Sequence, residues 1–195
     1  MSRLPRNTRS IFFTALALVL TLSVQALGKR ANNNFPNIKI KNFGQMDERF
    51  YRGGQPKEAD YQSLADLGVT TVIDLRDNPE DYEKPTVERL GMRYVNIPMD
   101  DKKYPKPEQI DAFLKLVDDP ATGKFFVHCA GGRHRTGVVG AVYRFTHNDW
   151  NYDQVYAEMK QYDFYSSWGH GPMKQFVKDY WAARQTQPVA ATAIK

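Results

Sequence analysis

The sequence predicts an α/β fold, a mostly parallel central sheet flanked by helices, and three observations carry that expectation. Strand-like runs at Val69–Leu75, Met92–Ile97 and Lys124–His128 alternate with segments whose apolar residues recur at helical spacing. Val69–Leu75 is β-branched and closed by Gly68 and by Arg76-Asp77-Asn78-Pro79, while Lys124–His128 is short and apolar, as strands buried on both faces are. No internal repeat is present, and in such sheets the reactive groups gather at the carboxyl ends of the strands.

In chain order, Phe35–Phe43 and Arg49–Arg52 read as short strands, the second running into the turn Arg52-Gly53-Gly54-Gln55-Pro56. A helix follows, with Pro56 near its start, Tyr61, Leu64 and Leu67 on one face and Gly68 at its end. After the strand Val69–Leu75 come a helix over Glu80–Leu90, stopped by Gly91, and a strand over Met92–Ile97. Asp100–Lys106 is a charged loop, and the helix that begins near Pro107 presents Ile110, Phe113, Leu114 and Val117 on one face. Lys124–His128, which should be the central strand, leads directly into Cys129. Gly137–Thr146 reads as a mostly buried helix, and helices over Asp153–Tyr162 and Met173–Ala183 are separated by Ser166, Ser167, Gly169, Gly171 and Pro172.

One domain over 35–184 is expected, with a flexible tail over 185–195. Residues 1–27 carry Arg3, Arg6 and Arg9, then the apolar run Ile11–Val24, then small residues at Val24-Gln25-Ala26, which is the pattern of a signal peptide. As a helix that run reaches about 21 Å, short of the roughly 30 Å hydrocarbon core, so cleavage and export to the periplasm or exterior are expected before a retained N-terminal anchor. No membrane span is expected after cleavage. The formal charge of +5 falls by three without those arginines, and the remaining basic residues are interleaved with acidic ones, which argues against a nucleic-acid partner.

Cys129 is the sole cysteine, so an intramolecular disulfide is impossible. A lone cysteine is ordinarily a small buried hydrophobe, but its neighbours point elsewhere. In His128-Cys129-Ala130-Gly131-Gly132-Arg133-His134-Arg135-Thr136 a thiol ends a strand and an arginine opens a helix six residues later. A loop of that length can curl until the backbone N–H groups of Ala130, Gly131, Gly132, Arg133 and His134 point inward as an anion nest, with the helix N-terminus behind it. The same field favours the thiolate. Arg135 can grip two phosphate oxygens, and Thr136 can donate to the sulfur when it leaves. His128 reads as a residue that orients the loop rather than as a base. No metal site is expected, because none of the four histidines pairs with another ligand at zinc spacings.

His128-Cys129, five residues, then Arg135-Thr136 resembles the phosphate-binding loop of the protein tyrosine phosphatase superfamily, and the dual-specificity branch most of all. Tyr51-Arg52-Gly53-Gly54-Gln55-Pro56 and Val72-Ile73-Asp74-Leu75-Arg76 are similar to segments of bacterial and fungal members, and the larger tyrosine-specific members' Trp-Pro-Asp loop is absent. The resemblance implies a dual-specificity phosphatase-like fold and a cofactor-free, metal-free hydrolysis of phosphate monoesters through a phosphocysteine on Cys129. It also implies an aspartic acid on an upstream loop that protonates the leaving oxygen. Asp101 and Asp100 stand there, Asp101 preferred, with Asp163 in reserve. Arg133 and His134 tilt the expected substrate from a phosphorylated protein toward an inositol phosphate or phosphoinositide. Two other readings stay open: a rhodanese-type sulfurtransferase, and a phosphate-recognition module without turnover.

Overall fold

The computed structural model describes residues 35–186. The expected export signal at 1–27 and residues 187–195 of the expected tail lie outside them. In chain order the elements are β1 (Gly44–Gln45), β2 (Phe50–Gly54), α1 (Tyr61–Asp66), β3 (Val69–Arg76), α2 (Glu83–Arg89), β4 (Arg93–Met99), α3 (Pro107–Asp118), β5 (Lys124–Cys129), α4 (Arg135–His147), α5 (Tyr152–Gln161) and α6 (Gly171–Thr186). The strands form one sheet in the order β1-β2-β5-β3-β4, parallel except for β1 against β2.

Strand β5 lies at the centre because Phe125, Phe126 and Val127 are all fully buried, and only a strand covered on both faces can bury consecutive side chains. Phe125 and Val127 face one core with Phe50, Ile73, Leu75 and the apolar sides of α3, α4, α5 and α6. Phe126 faces the other, with Tyr51, Val72, Tyr61, Leu64 and Val87 from β2, β3, α1 and α2. The chain therefore leaves β5 toward one face, while it leaves the neighbours β2 and β3 toward the other. That divergence opens a crevice at the carboxyl end of β5, where open α/β sheets bind ligands.

One expected strand does not form. Over Phe35–Phe43 the chain is irregular, and only Gly44–Gln45 pairs with β2. Pro36 removes a donor and Asn42 adopts a left-handed conformation at φ 51°. The alternation that suggested a strand records burial instead, since Ile38, Ile40 and Phe43 tuck beneath the sheet. Helix α6 extends through Gln185 and Thr186, two residues into the expected tail. Among the described residues no helix is long and apolar enough to cross a membrane.

Helices α4 and α5 are joined by a buried ion pair. Arg144 donates to both Glu158 oxygens, from Nε at 2.9 Å and Nη2 at 2.6 Å, and its guanidinium lies 4.2 Å from the Trp150 ring. Removing one partner leaves the other charge buried without compensation. Glu158→Ala should therefore lower stability by about 3 kcal/mol in urea unfolding.

Candidate active site

Strand alternation places His128 and Cys129 on opposite faces of β5, so the thiol faces the α4 core and the imidazole the α2 core. Residues 130–134 cross the crevice and α4 starts at Arg135, aiming its unsatisfied first-turn N–H groups at the loop.

What curls this loop is a set of donors outside it. The Gln55 backbone N–H donates to Ala130 O at 3.3 Å, Asn42 Nδ2 to Gly131 O at 2.9 Å, and Arg52 Nη2 to Gly132 O at 2.6 Å. Three successive carbonyls are thus drawn outward, which turns the intervening N–H groups toward the sulfur side. Gly132 is left-handed at φ 65°, and a Cβ there would collide with the backbone of Gly53 and Gly54. Arg52 is buried and makes no salt bridge among the described residues. Its guanidinium lies 3.9 Å from the Tyr162 ring, and burial draws its pKa below the ordinary value.

Cys129 is 3% exposed, at the floor of a cavity of about 160 Å³. Burial alone would raise the thiol pKa, but the Thr136 hydroxyl, the Arg135 charge and the backbone N–H groups of Thr136 and Arg133 outweigh it and hold the thiol below its ordinary value. Thr136 Oγ1 is buried without a nitrogen or oxygen partner, which leaves the sulfur to receive its proton. Ala130, Gly131, Arg133, His134, Arg135, Asp101, Tyr165 and His170 complete the cavity wall. Arg135 Nη1 donates to Asp77 at 2.8 Å and to Met99 O at 3.0 Å, while its Nε, like that of Arg133, is buried without a partner among the described residues.

Of the expected acids, Asp101 lines the cavity and the other two do not. Asp100 turns away, accepting from Lys102 N at 2.9 Å and pairing with Lys103 at 3.0 Å. Asp163 is exposed in the turn after α5. Gly132 is absent from the cavity wall, its carbonyl being committed to Arg52.

His128 departs from expectation, for its partners lie beneath the sheet rather than in the loop. Nε2 is 2.6 Å from Glu83 Oε1, and Asp74 lies 3.9 Å away. Burial would lower the His128 pKa, but the Glu83 hydrogen bond and charge outweigh it and hold it above the ordinary imidazole value. Asp74, Glu83 and His128 are near enough to share an ion. The carboxylate oxygens are already engaged, because Gln55 occupies the second Glu83 oxygen and Tyr94 and the Arg76 N–H occupy those of Asp74.

Sequence reasoning missed Asn42, Arg52, Asp77, Tyr165 and His170. Arg52 alone carried a signal, since it belongs to the Tyr51–Pro56 segment noted for its resemblance. Its replacement provides a check. Arg52→Met should weaken vanadate binding by about tenfold or more, because one carbonyl of the nest is released. The pH midpoint for alkylation of Cys129 by iodoacetamide should lie below the ordinary thiol value of 9.0 in the native chain and rise in Thr136→Val.

The family model described as a DSP-PTPase phosphatase fused to NAD+ kinase matches residues 33–177. A Dictyostelium discoideum protein named as a tyrosine-protein phosphatase is 29% identical over 132 residues, covering 65% of this chain and 78% of that one. An inositol diphosphatase of Oryza sativa is 32% identical over 105 residues, which is 50% of this chain and 46% of the rice protein. The core catalytic domain of the PP-IP phosphatase SIW14 from S. cerevisiae superposes with a TM-score of 0.63 at 20% identity, covering 72% of this chain and 86% of that one. At that identity the superposition speaks for the fold, while the family match spans most of the chain and includes the cysteine loop. The chain belongs to the dual-specificity branch of the protein tyrosine phosphatase superfamily and is a cysteine-dependent phosphatase.

Proposed function

We propose that this phosphatase acts on substrates with closely spaced phosphates, of the inositol phosphate or diphosphate class, using Cys129 as nucleophile and Asp101 as general acid. The observation that carries the substrate class is the pair of arginines in one small cavity. Arg133 and Arg135 both line it, each with a buried Nε that has no partner among the described residues. One phosphoryl group is satisfied by the loop N–H groups and a single bidentate guanidinium, so a second guanidinium suits a neighbouring phosphate. The names of the rice relative and the yeast structure support the same class. A phosphoprotein substrate is the second reading, favoured by the Tyr165 ring, 37% exposed at the cavity, against which a phosphorylated side chain would pack. The family match leaves the sulfurtransferase and the non-catalytic recognition module without support.

In the first step the Cys129 thiolate attacks phosphorus, the S–P bond forms, and the bond to the leaving oxygen breaks. Asp101, entering as the carboxylic acid, gives its proton to that oxygen. The loop N–H groups and Arg135 bear the charge on the equatorial oxygens. In the second step water attacks phosphorus, Asp101 takes the water proton, the S–P bond breaks with its electron pair going to sulfur, and the Thr136 hydroxyl donates a hydrogen bond to the thiolate so formed. The cavity placement of Asp101 beside Cys129 supports this division of roles.

Residues 28–195 assayed without added metal should release phosphate from phenyl phosphate, and Cys129→Ser should abolish that turnover. Asp101→Asn should lower it by roughly 100-fold or more. An inositol diphosphate should be hydrolysed with a higher kcat/KM than a phosphotyrosyl peptide, and the reverse order would favour the phosphoprotein reading. We also propose that residues 1–27 direct export. N-terminal sequencing of the chain recovered from the periplasm or medium should begin near residue 28, and recovery only from cytoplasm would sink that proposal.

A further inference from the structure

We infer that His170 is a positioning residue, whose hydrogen bond to the Asp101 carbonyl holds the acid over the cavity and whose ring is oriented by a stack on His134. The inference rests on the reading of Asp101 as the general acid. Asp101 sits in a turn between β4 and α3, where side-chain packing alone would leave it free to swing. The flanks of that turn are tied down: Pro98 O accepts from Gln109 Nε2 at 2.6 Å, Met99 O accepts from Arg135 Nη1, and the Tyr104 hydroxyl donates to Asp179 at 3.1 Å. At Asp101 itself the tie is His170 Nδ1, 2.7 Å from the carbonyl oxygen. A carbonyl only accepts, so Nδ1 carries the proton.

A hydrogen bond fixes its acceptor only as well as its donor is fixed. His170 is 6% exposed, and its ring lies 3.5 Å from that of His134 with 8° between the planes. Tyr165 closes on both rings edge-on. His134 is the last loop residue before α4 and is held neutral, its pKa pushed down to about 4 by burial and by His170, so the stack does not oppose two cations. The loop that holds the phosphoryl group and the turn that holds the acid are therefore joined through two imidazoles. The acid is placed before substrate arrives, with no separate lid closure needed.

The test uses leaving-group dependence, since protonation matters for phenyl phosphate and hardly at all for 2,4-dinitrophenyl phosphate, whose leaving group departs as a stable anion. The ratio of the two rates within one preparation is independent of the folded fraction. His170→Phe, which keeps a ring to stack but removes the donor, should lose roughly tenfold or more in kcat on phenyl phosphate and less than about twofold on the dinitrophenyl ester. His170→Asn, whose amide nitrogen stands near the place of Nδ1, should recover much of the loss. Equal losses on the two esters, or none, would overturn the inference, as would an Asn variant no better than Phe. Asp101→Asn serves as the control. If it shows no leaving-group bias, the acid assignment itself fails, and the inference falls with it.

Discussion

The site depends on three carbonyls facing the wrong way for an ordinary loop. Ala130, Gly131 and Gly132 point their oxygens out of the crevice because Gln55, Asn42 and Arg52 hold them there. An isolated peptide of this sequence would have no reason to keep its N–H groups turned toward one sulfur, as those of Arg133 and Thr136 are, since such dipoles repel one another until an anion arrives. The scaffold supplies the compensation in advance, and the most expensive part of it is Arg52. A guanidinium buried without a paired carboxylate is costly, and it is tolerated where an aromatic face, a carbonyl and the charges of Glu158 and Cys129 act on it.

Strand β5 serves two purposes through its alternation. Its upper face delivers the nucleophile, and its lower face delivers His128 into a closed array with Glu83, Asp74, Tyr94 and Gln55. Gln55 also links the two systems: its backbone N–H holds the loop at Ala130 while its side chain holds Glu83. The array thus fixes β2, β3, β5 and α2 relative to one another at the strand ends where the loop must be carried. A histidine next to the nucleophile contributes rigidity without touching the reacting atoms.

Much of this was legible in the sequence, for physical reasons that differ by element. The parallel strands were legible because double-sided burial leaves near-continuous apolar runs, and the cysteine loop because its chemistry requires a fixed count of residues between thiol and guanidinium. The stretch Phe35–Phe43 misled because alternation follows burial whether or not the backbone pairs. Asp101 was preferred to Asp100 without a geometric ground, since adjacent residues in a turn differ only in direction, which depends on Lys102, Lys103 and His170. Asn42, Asp77 and His170 act across long sequence separations, and a single sequence carries no record of such contacts.

The solitary thiol has a chemical consequence. If an oxidant reaches Cys129 and forms a sulfenic acid, the 195 residues contain no second cysteine to capture it as a disulfide. The groups nearest the sulfur are backbone nitrogens and the Thr136 hydroxyl, so capture falls to a backbone nitrogen, as a sulfenamide with loss of water, and thiol repair to a small thiol entering the same 160 Å³ cavity that admits substrate. Occupancy by phosphate therefore shields the sulfur from oxidation and also shuts out its repair.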